Sequence, residues 1–265
     1  GGPRADQTAR SNMATADIVP GDTGAALFSG FELTPDQNEI LDQADRYARN
    51  ELYPLSERMD NEEWWPADAF PKLGEIGYLG ITVPEEFGGA GLDLMSAGLI
   101  LQAMSRWNHA FALSWVAHDN LCVNNIYANA SDAQRRQYLP RLCDGSHIGA
   151  LGLTEPGAGS DALGSMRTTA RRDGDEFVLN GSKLYITNGP VADILLVYAK
   201  TDRDKGQHGI SAFIIEKDFP GFRVAQKLVK MGFRGSQTAE LVFDDCRVPA
   251  GNLVGELDKG VRVVL

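Results

Sequence analysis

The feature that most constrains this chain is a change of hydrophobic period near residue 148. Before it, apolar residues recur at helical spacing; after it, they alternate or run in short blocks of strand length. Thr34-Pro35-Asp36-Gln37 is a capping box with proline at the first helical position. Ile40, Leu41, Ala44, Tyr47, Ala48 and Leu52 follow on one face. Further helices are predicted over 66–76, ended by Gly77, and over 92–107, with Met95, Leu99, Ile100, Ala103 and Met104 as a buried stripe. The stretch 110–128 is apolar on nearly every side and reads as a central helix. Ser131-Asp132-Ala133-Gln134 is a second capping box, and its helix runs to Cys143 and stops at Asp144-Gly145.

Strands are predicted over 148–153, 165–171, 176–179, 183–187, 194–199, 210–215, 222–228 and 239–243. Asp173-Gly174 and Asn180-Gly181 both read as hairpin turns, because these dipeptides accept positive φ. The expected fold is α+β and multidomain. A helical domain at 33–147 precedes an antiparallel β-barrel or sandwich at 148–247, and 248–265 is a hinge turning back toward helix. Residues 1–32 are polar, Gly- and Ala-rich and aperiodic, and read as a disordered segment or tag, with Met13 as the native start. Arg4 and Arg10 give a faint transit-peptide pattern, which Asp6, Asp17 and Asp22 oppose.

Composition excludes several classes. A net charge of −11 and a pI near 4.8 argue against a nucleic-acid partner. No apolar run approaches the roughly 18–20 residues that span a bilayer. Cys122, Cys143 and Cys246 are odd in number and far apart, and read as reduced thiols. His109, His118, His147 and His208 lack metal-ligand spacing, so no metal site is expected.

Two segments carry the chemistry. Thr154-Glu155-Pro156-Gly157-Ala158-Gly159-Ser160-Asp161 follows a strand, and its small residues let backbone amides approach a ligand. It is not a Walker loop, since no Gly-Lys-Ser/Thr follows, and not a Rossmann fingerprint, since strand rather than helix comes next. Ser160 does not sit in Gly-x-Ser-x-Gly. Alone, the segment also reads as a plain glycine-rich turn. The second segment, Lys183-Leu184-Tyr185-Ile186-Thr187-Asn188-Gly189, also ends an apolar run and adds another threonine hydroxyl.

In this order and on β-structure, the two segments resemble the acyl-CoA dehydrogenase family. Phe87-Gly88-Gly89-Ala90-Gly91-Leu92, Met231-Gly232-Phe233-Arg234-Gly235-Ser236-Gln237-Thr238 and Asp244-Asp245-Cys246-Arg247-Val248-Pro249 extend the resemblance over 33–265. Within the family, 113–122 and 188–202 are most similar to the isovaleryl-CoA dehydrogenase branch.

The resemblance implies FAD as cofactor. Leu151, Leu153 and Thr154 would line the flavin, and Gly159 and Ser160 would approach the FAD phosphates and the acyl-CoA. Tyr185, Ile186 and Thr187 would lie along the isoalloxazine, with the Thr187 hydroxyl toward N5. Tyr185 stands where the family usually has tryptophan. Gln207 and His208 are further candidates for touching CoA. The implied activity is α,β-dehydrogenation of a short or branched acyl-CoA, as in leucine catabolism and fatty acid metabolism, with electrons passing to electron-transfer flavoprotein. A homotetramer in the bacterial cytoplasm or the mitochondrial matrix is the expected setting. No residue here matches the family's catalytic glutamate, which is expected beyond Leu265, so this stretch alone is expected not to turn over. Rivals are an acyl-CoA oxidase using oxygen and a non-catalytic flavin- or CoA-binding piece.

Overall fold

A computed structural model describes residues 32–264; the readings made for residues 1–31, including the start at Met13, lie outside the described residues. Helix α1 (Pro35–Tyr47) opens on the expected capping box, with both reciprocal Thr34–Gln37 bonds present. It continues through a π-helical turn (Ala48–Leu52) into α2 (Tyr53–Glu62). Helices α3 (Ala69–Glu75) and α4 (Leu94–Trp107) follow, α4 capped by the Asp93 side chain. The central apolar stretch is α5 (His109–Val116), a π-helical segment (Ala117–Val123) and α6 (Asn124–Asn129) in unbroken succession. Helix α7 (Asp132–Cys143) opens on the second capping box, again with both bonds made.

The first core cluster packs Leu41, Ala44, Leu52, Met59, Phe70, Leu99, Ile100, Phe111 and Trp115 between these helices. Met95 departs from the expected stripe: at the N-terminal end of α4 it is 41% exposed, beside exposed Leu92 and Leu94. All three cysteines are buried and unpaired, and burial pushes each thiol up to about 12. They behave as small apolar residues rather than nucleophiles.

Beyond residue 148 an eight-stranded sheet forms: β1 (Gly149–Gly152), β2 (Thr169–Asp173), β3 (Glu176–Thr187), β4 (Ile194–Lys200), β5 (Ile210–Glu216), β6 (Phe222–Lys227), β7 (Thr238–Pro249) and β8 (Leu253–Val254). The order is β6-β7-β3-β2-β4-β5-β8, with β1 also on β4. The sheet is mixed rather than wholly antiparallel, because β4 runs parallel to β1 and to the start of β2. Alternate residues of β4 supply two cores: Ile194, Leu196 and Tyr198 face one, Leu195, Val197 and Ala199 the other. Burial on both faces explains why β4 reads as a continuous apolar run.

Asp173-Gly174 makes the expected hairpin between β2 and β3. Asn180-Gly181 does not, and β3 runs straight through it. There Asp244 and Asp245 oppose Asn180 alone, a bulge in which Asp245 has φ +48 and exchanges two hydrogen bonds with the Asn180 amide. Gly181 has φ +146, and a Cβ there would lie 2.7 Å from Thr168 Cα. The dipeptide supplies left-handed freedom for close strand approach, not for a turn. The expected strand from 165 begins only at Thr169, because Ala162–Ser165 forms a short helix, α8. A last helix, α9, spans Gly260–Val264.

Candidate functional site

Both signature segments leave the same part of the sheet. After β1, the first makes a two-residue turn over Pro156-Gly157, closed by Glu155 N to Ala158 O at 3.1 Å and Ala158 N to Glu155 O at 3.0 Å. A Cβ placed on Gly157 or Gly159 would meet nothing within 4 Å. The protein's own packing therefore does not require these glycines, and open space lies where a ligand would approach the backbone.

The second segment carries a second bulge. Lys183 pairs with Leu241 and Ile186 with Ala239, so Leu184 and Tyr185 oppose one residue. Tyr185 takes φ +62, an uncommon conformation for a bulky side chain, and is turned outward, 67% exposed. The same bulge turns Ile186 inward, where its side chain is buried among Leu179, Leu195 and Leu241. The Ile186 side chain is thus closed to a ligand, and its main chain is the part that can lie along a flat one.

Thr154 and Thr187 are half-buried and Ser160 is exposed. None of the three hydroxyls has a hydrogen-bond partner among the described residues, whereas Thr201 Oγ1 bonds Asp258, Ser211 and the Gly209 carbonyl. Unsatisfied half-buried hydroxyls beside an outward aromatic and an open glycine turn form a surface suited to a flat, polar-edged molecule with phosphates. Leu151 and Leu153, both half-buried, pack on the cluster beneath. Gln207 and His208 are exposed on the 3-10 turn Gly206–Gly209, beside α8 rather than on either segment.

The two segments are tied by contacts that the motifs did not announce. Leu184 N donates to Thr154 O at 2.9 Å. The Lys183 ammonium, with no exposed side-chain surface, sits 2.9 Å from Glu155 Oε1. Burial pushes Lys183 below the usual amine range, against the raising pull of Glu155. Burial pushes Glu155 up, but the Lys183 charge and hydrogen bonds from Thr168, Lys183 and Arg167 outweigh it and hold the carboxyl below its ordinary value. Asn188, at φ +64, donates to Ser114 O at 2.8 Å and Gly149 O at 3.1 Å, fastening the segment's end to α5 and β1. His118 accepts from Gly149 N at 2.8 Å through Nδ1 and bonds Leu142 O through Nε2.

The sequence matches two parts of one family. Residues 34–146 match the acyl-CoA dehydrogenase N-terminal domain and residues 150–246 the acyl-CoA dehydrogenase middle domain. The chain belongs to the acyl-CoA dehydrogenase family. It is 44% identical over 237 residues to mitochondrial isovaleryl-CoA dehydrogenase of Pongo abelii, covering 88% of this chain and 56% of that one. A chain in the structure of the electron transferring flavoprotein of Acidaminococcus fermentans superposes with a TM-score of 0.85 at 44% identity, covering 88% and 61%. Glutaryl-CoA dehydrogenase of Mycobacterium smegmatis in complex with FADH2 superposes with a TM-score of 0.78 at 35% identity, covering 83% and 55%. The chain therefore spans little more than half the length of these relatives.

Proposed function

We propose that this chain forms the flavin-facing part of an FAD-dependent acyl-CoA dehydrogenase for short or branched acyl groups, isovaleryl-CoA among them. The observation that carries the reading is the pair of free hydroxyls, Thr154 and Thr187, beside outward-turned Tyr185 and the open Gly157–Gly159 turn. These residues fit FAD: the threonines donate to the ring edge, Tyr185 lies against the ring, and Gly159 and Ser160 meet the phosphates. FAD, when bound, accepts the hydride that leaves the β-carbon of the thioester. The chain's part is to hold donors where that negative charge arrives and to fix the ring against the substrate. Gln207 and His208 are assigned to the CoA end. Neither carboxylate of the first segment serves as base for the α-proton. Glu155 is held in the buried pair, and Asp161 accepts from Ser165. The base is expected outside the two matched domains. The likeness to a chain in the electron transferring flavoprotein structure supports electron-transfer flavoprotein as acceptor, and the homotetramer is proposed on the family resemblance alone.

The test uses the full-length protein. Its apo form is titrated with FAD, then mixed anaerobically with isovaleryl-CoA and butyryl-CoA while flavin absorbance is followed. Stoichiometric bleaching is expected, with reoxidation by electron-transfer flavoprotein faster than by air. Absence of FAD binding, or of bleaching by every short and branched acyl-CoA, overturns the reading. Fast reoxidation by air instead identifies an oxidase. Thr187→Ala is expected to slow flavin reduction by roughly 10²–10³, the usual cost of one lost donor to developing charge, with acyl-CoA affinity unchanged.

A further inference from the structure

The buried ion pair between the two segments ties them at one point. Glu155 Oε1 accepts from Lys183 Nζ at 2.9 Å and from Thr168 N at 3.0 Å, and Oε2 accepts from Arg167 N at 2.6 Å. Lys183 Nζ also donates to Leu153 O at 3.1 Å. With the Leu184 N to Thr154 O bond, residues 153, 154 and 155 are each anchored to residue 183 or 184. Gly152 lies beside the Lys183 stem: a Cβ there would stand in ordinary contact with its Cγ, at 3.6 Å, and tight against Val197 Cγ2, at 3.1 Å.

Stability is a poor reason for such a pair. Two charges taken out of water are costly, and apolar residues of similar volume often serve a core as well or better. What the pair supplies is register. Lys183 is the last regularly paired residue of β3 before the bulge that turns Tyr185 outward. Glu155 directly follows Thr154 at the start of the glycine turn. Together with the Leu184 N to Thr154 O bond, one carboxylate and one ammonium therefore set the distance between Thr154 on one segment and Tyr185 and Thr187 on the other. An apolar contact, being non-directional, would let that distance drift.

We propose that Glu155 and Lys183 are positioning residues, a clamp that fixes how far the Thr154 hydroxyl stands from the Tyr185–Thr187 edge so that both meet one flavin ring. This rests on the flavin reading above. The clamp touches neither substrate nor ring; it acts through Thr154, Tyr185 and Thr187.

The experiment compares full-length holoenzyme with Glu155→Gln/Lys183→Met, a neutral pair that keeps one carbonyl acceptor for the Thr168 or the Arg167 amide and fills the lysine's volume. Six quantities are measured: the thermal midpoint, the FAD dissociation constant, the visible spectrum and midpoint potential of the bound flavin, and the KM and reduction rate with isovaleryl-CoA. The clamp predicts a midpoint within several degrees of the parent and KM within about threefold. It also predicts FAD binding weakened about tenfold or more, a shifted flavin band and potential, and reduction slowed on the order of 10–100-fold, as displacements of about 1 Å can produce. A folded variant with the parent's flavin spectrum, potential and reduction rate would overturn the clamp. If the double variant does not fold, Lys183→Met alone, which leaves the Glu155 carboxylate with the Thr168 and Arg167 amides as donors, is read against the same criteria. A parent that binds no FAD fails the flavin reading itself; a parent that binds FAD beside an indifferent variant fails only the clamp.

Discussion

Asp119→Asn should change how the protein responds to acid, because neighbours in one π-helical segment are linked to protons in opposite senses. His118 is fully buried, and burial pushes its pKa down to about 4. Asp119, bonded to the Gly80 amide, is pushed up to about 7 by burial. Unfolded, they titrate near 6.5 and 3.9. Folding therefore excludes the proton from His118, whose contribution is intact above about pH 6.5 and lost as pH falls toward 4. Folding retains the proton on Asp119, whose contribution is intact below about pH 4 and lost as pH rises toward 7. Between pH 7.5 and 4.5 these shifts correspond to a loss of about 2.5 kcal/mol at His118 and a gain of about 3 kcal/mol at Asp119. In the parent they nearly cancel. Asp119→Asn keeps an acceptor for Gly80 N and removes the offset, so the loss at His118 should emerge. Urea unfolding at pH 4.5, 5.5, 6.5 and 7.5 reads this directly, because exposed carboxylates titrate alike in both proteins and drop out of the difference. The difference in stability between variant and parent should move by about 3 kcal/mol across the series, in favour of the variant at pH 7.5. A difference that stays constant would show that Asp119 is ionised throughout the range and refute the assignment.

Three further outcomes follow from the geometry. Asn188→Ala removes two buried donors and leaves the Ser114 and Gly149 carbonyls without them, which should lower stability by about 2–4 kcal/mol in chemical denaturation. Gly181→Ala forces a side chain against Thr168 at φ +146, so it should lower the thermal midpoint and, through the Thr168–Glu155 bond, weaken FAD binding in the same protein. Ile186→Ala, a truncation inside the β-core, should cost about 2–5 kcal/mol while leaving the spectrum of bound flavin unchanged, since its side chain faces away from the proposed ring.

What the sequence made legible was local. The capping boxes at Thr34 and Ser131 formed because every group they need lies within four residues. The β4 run could be read because burial on both faces leaves no polar interruption. What stayed hidden depended on distant partners. Asn180-Gly181 has the same local preference whether it turns the chain or admits a bulge, and the choice is made by β7, whose Asp245 lies 65 residues away from Asn180. Lys183 on a strand reads as a solvated charge until Glu155, 28 residues earlier, is placed beside it. A signal was present: Lys183 falls within an apolar strand and Glu155 beside a glycine turn, each an awkward place for a charge unless the other neutralises it. The second bulge shows the same limit in the site itself. Strict alternation from buried Lys183 would turn Tyr185 inward and Ile186 outward, yet the bulge reverses the parity and sends Tyr185 to the surface and Ile186 to the core. A motif fixes which residues gather at a site; the strand's register against its neighbours decides which of them can reach a ligand, and here that register is held by β7 on one side and by the buried pair on the other.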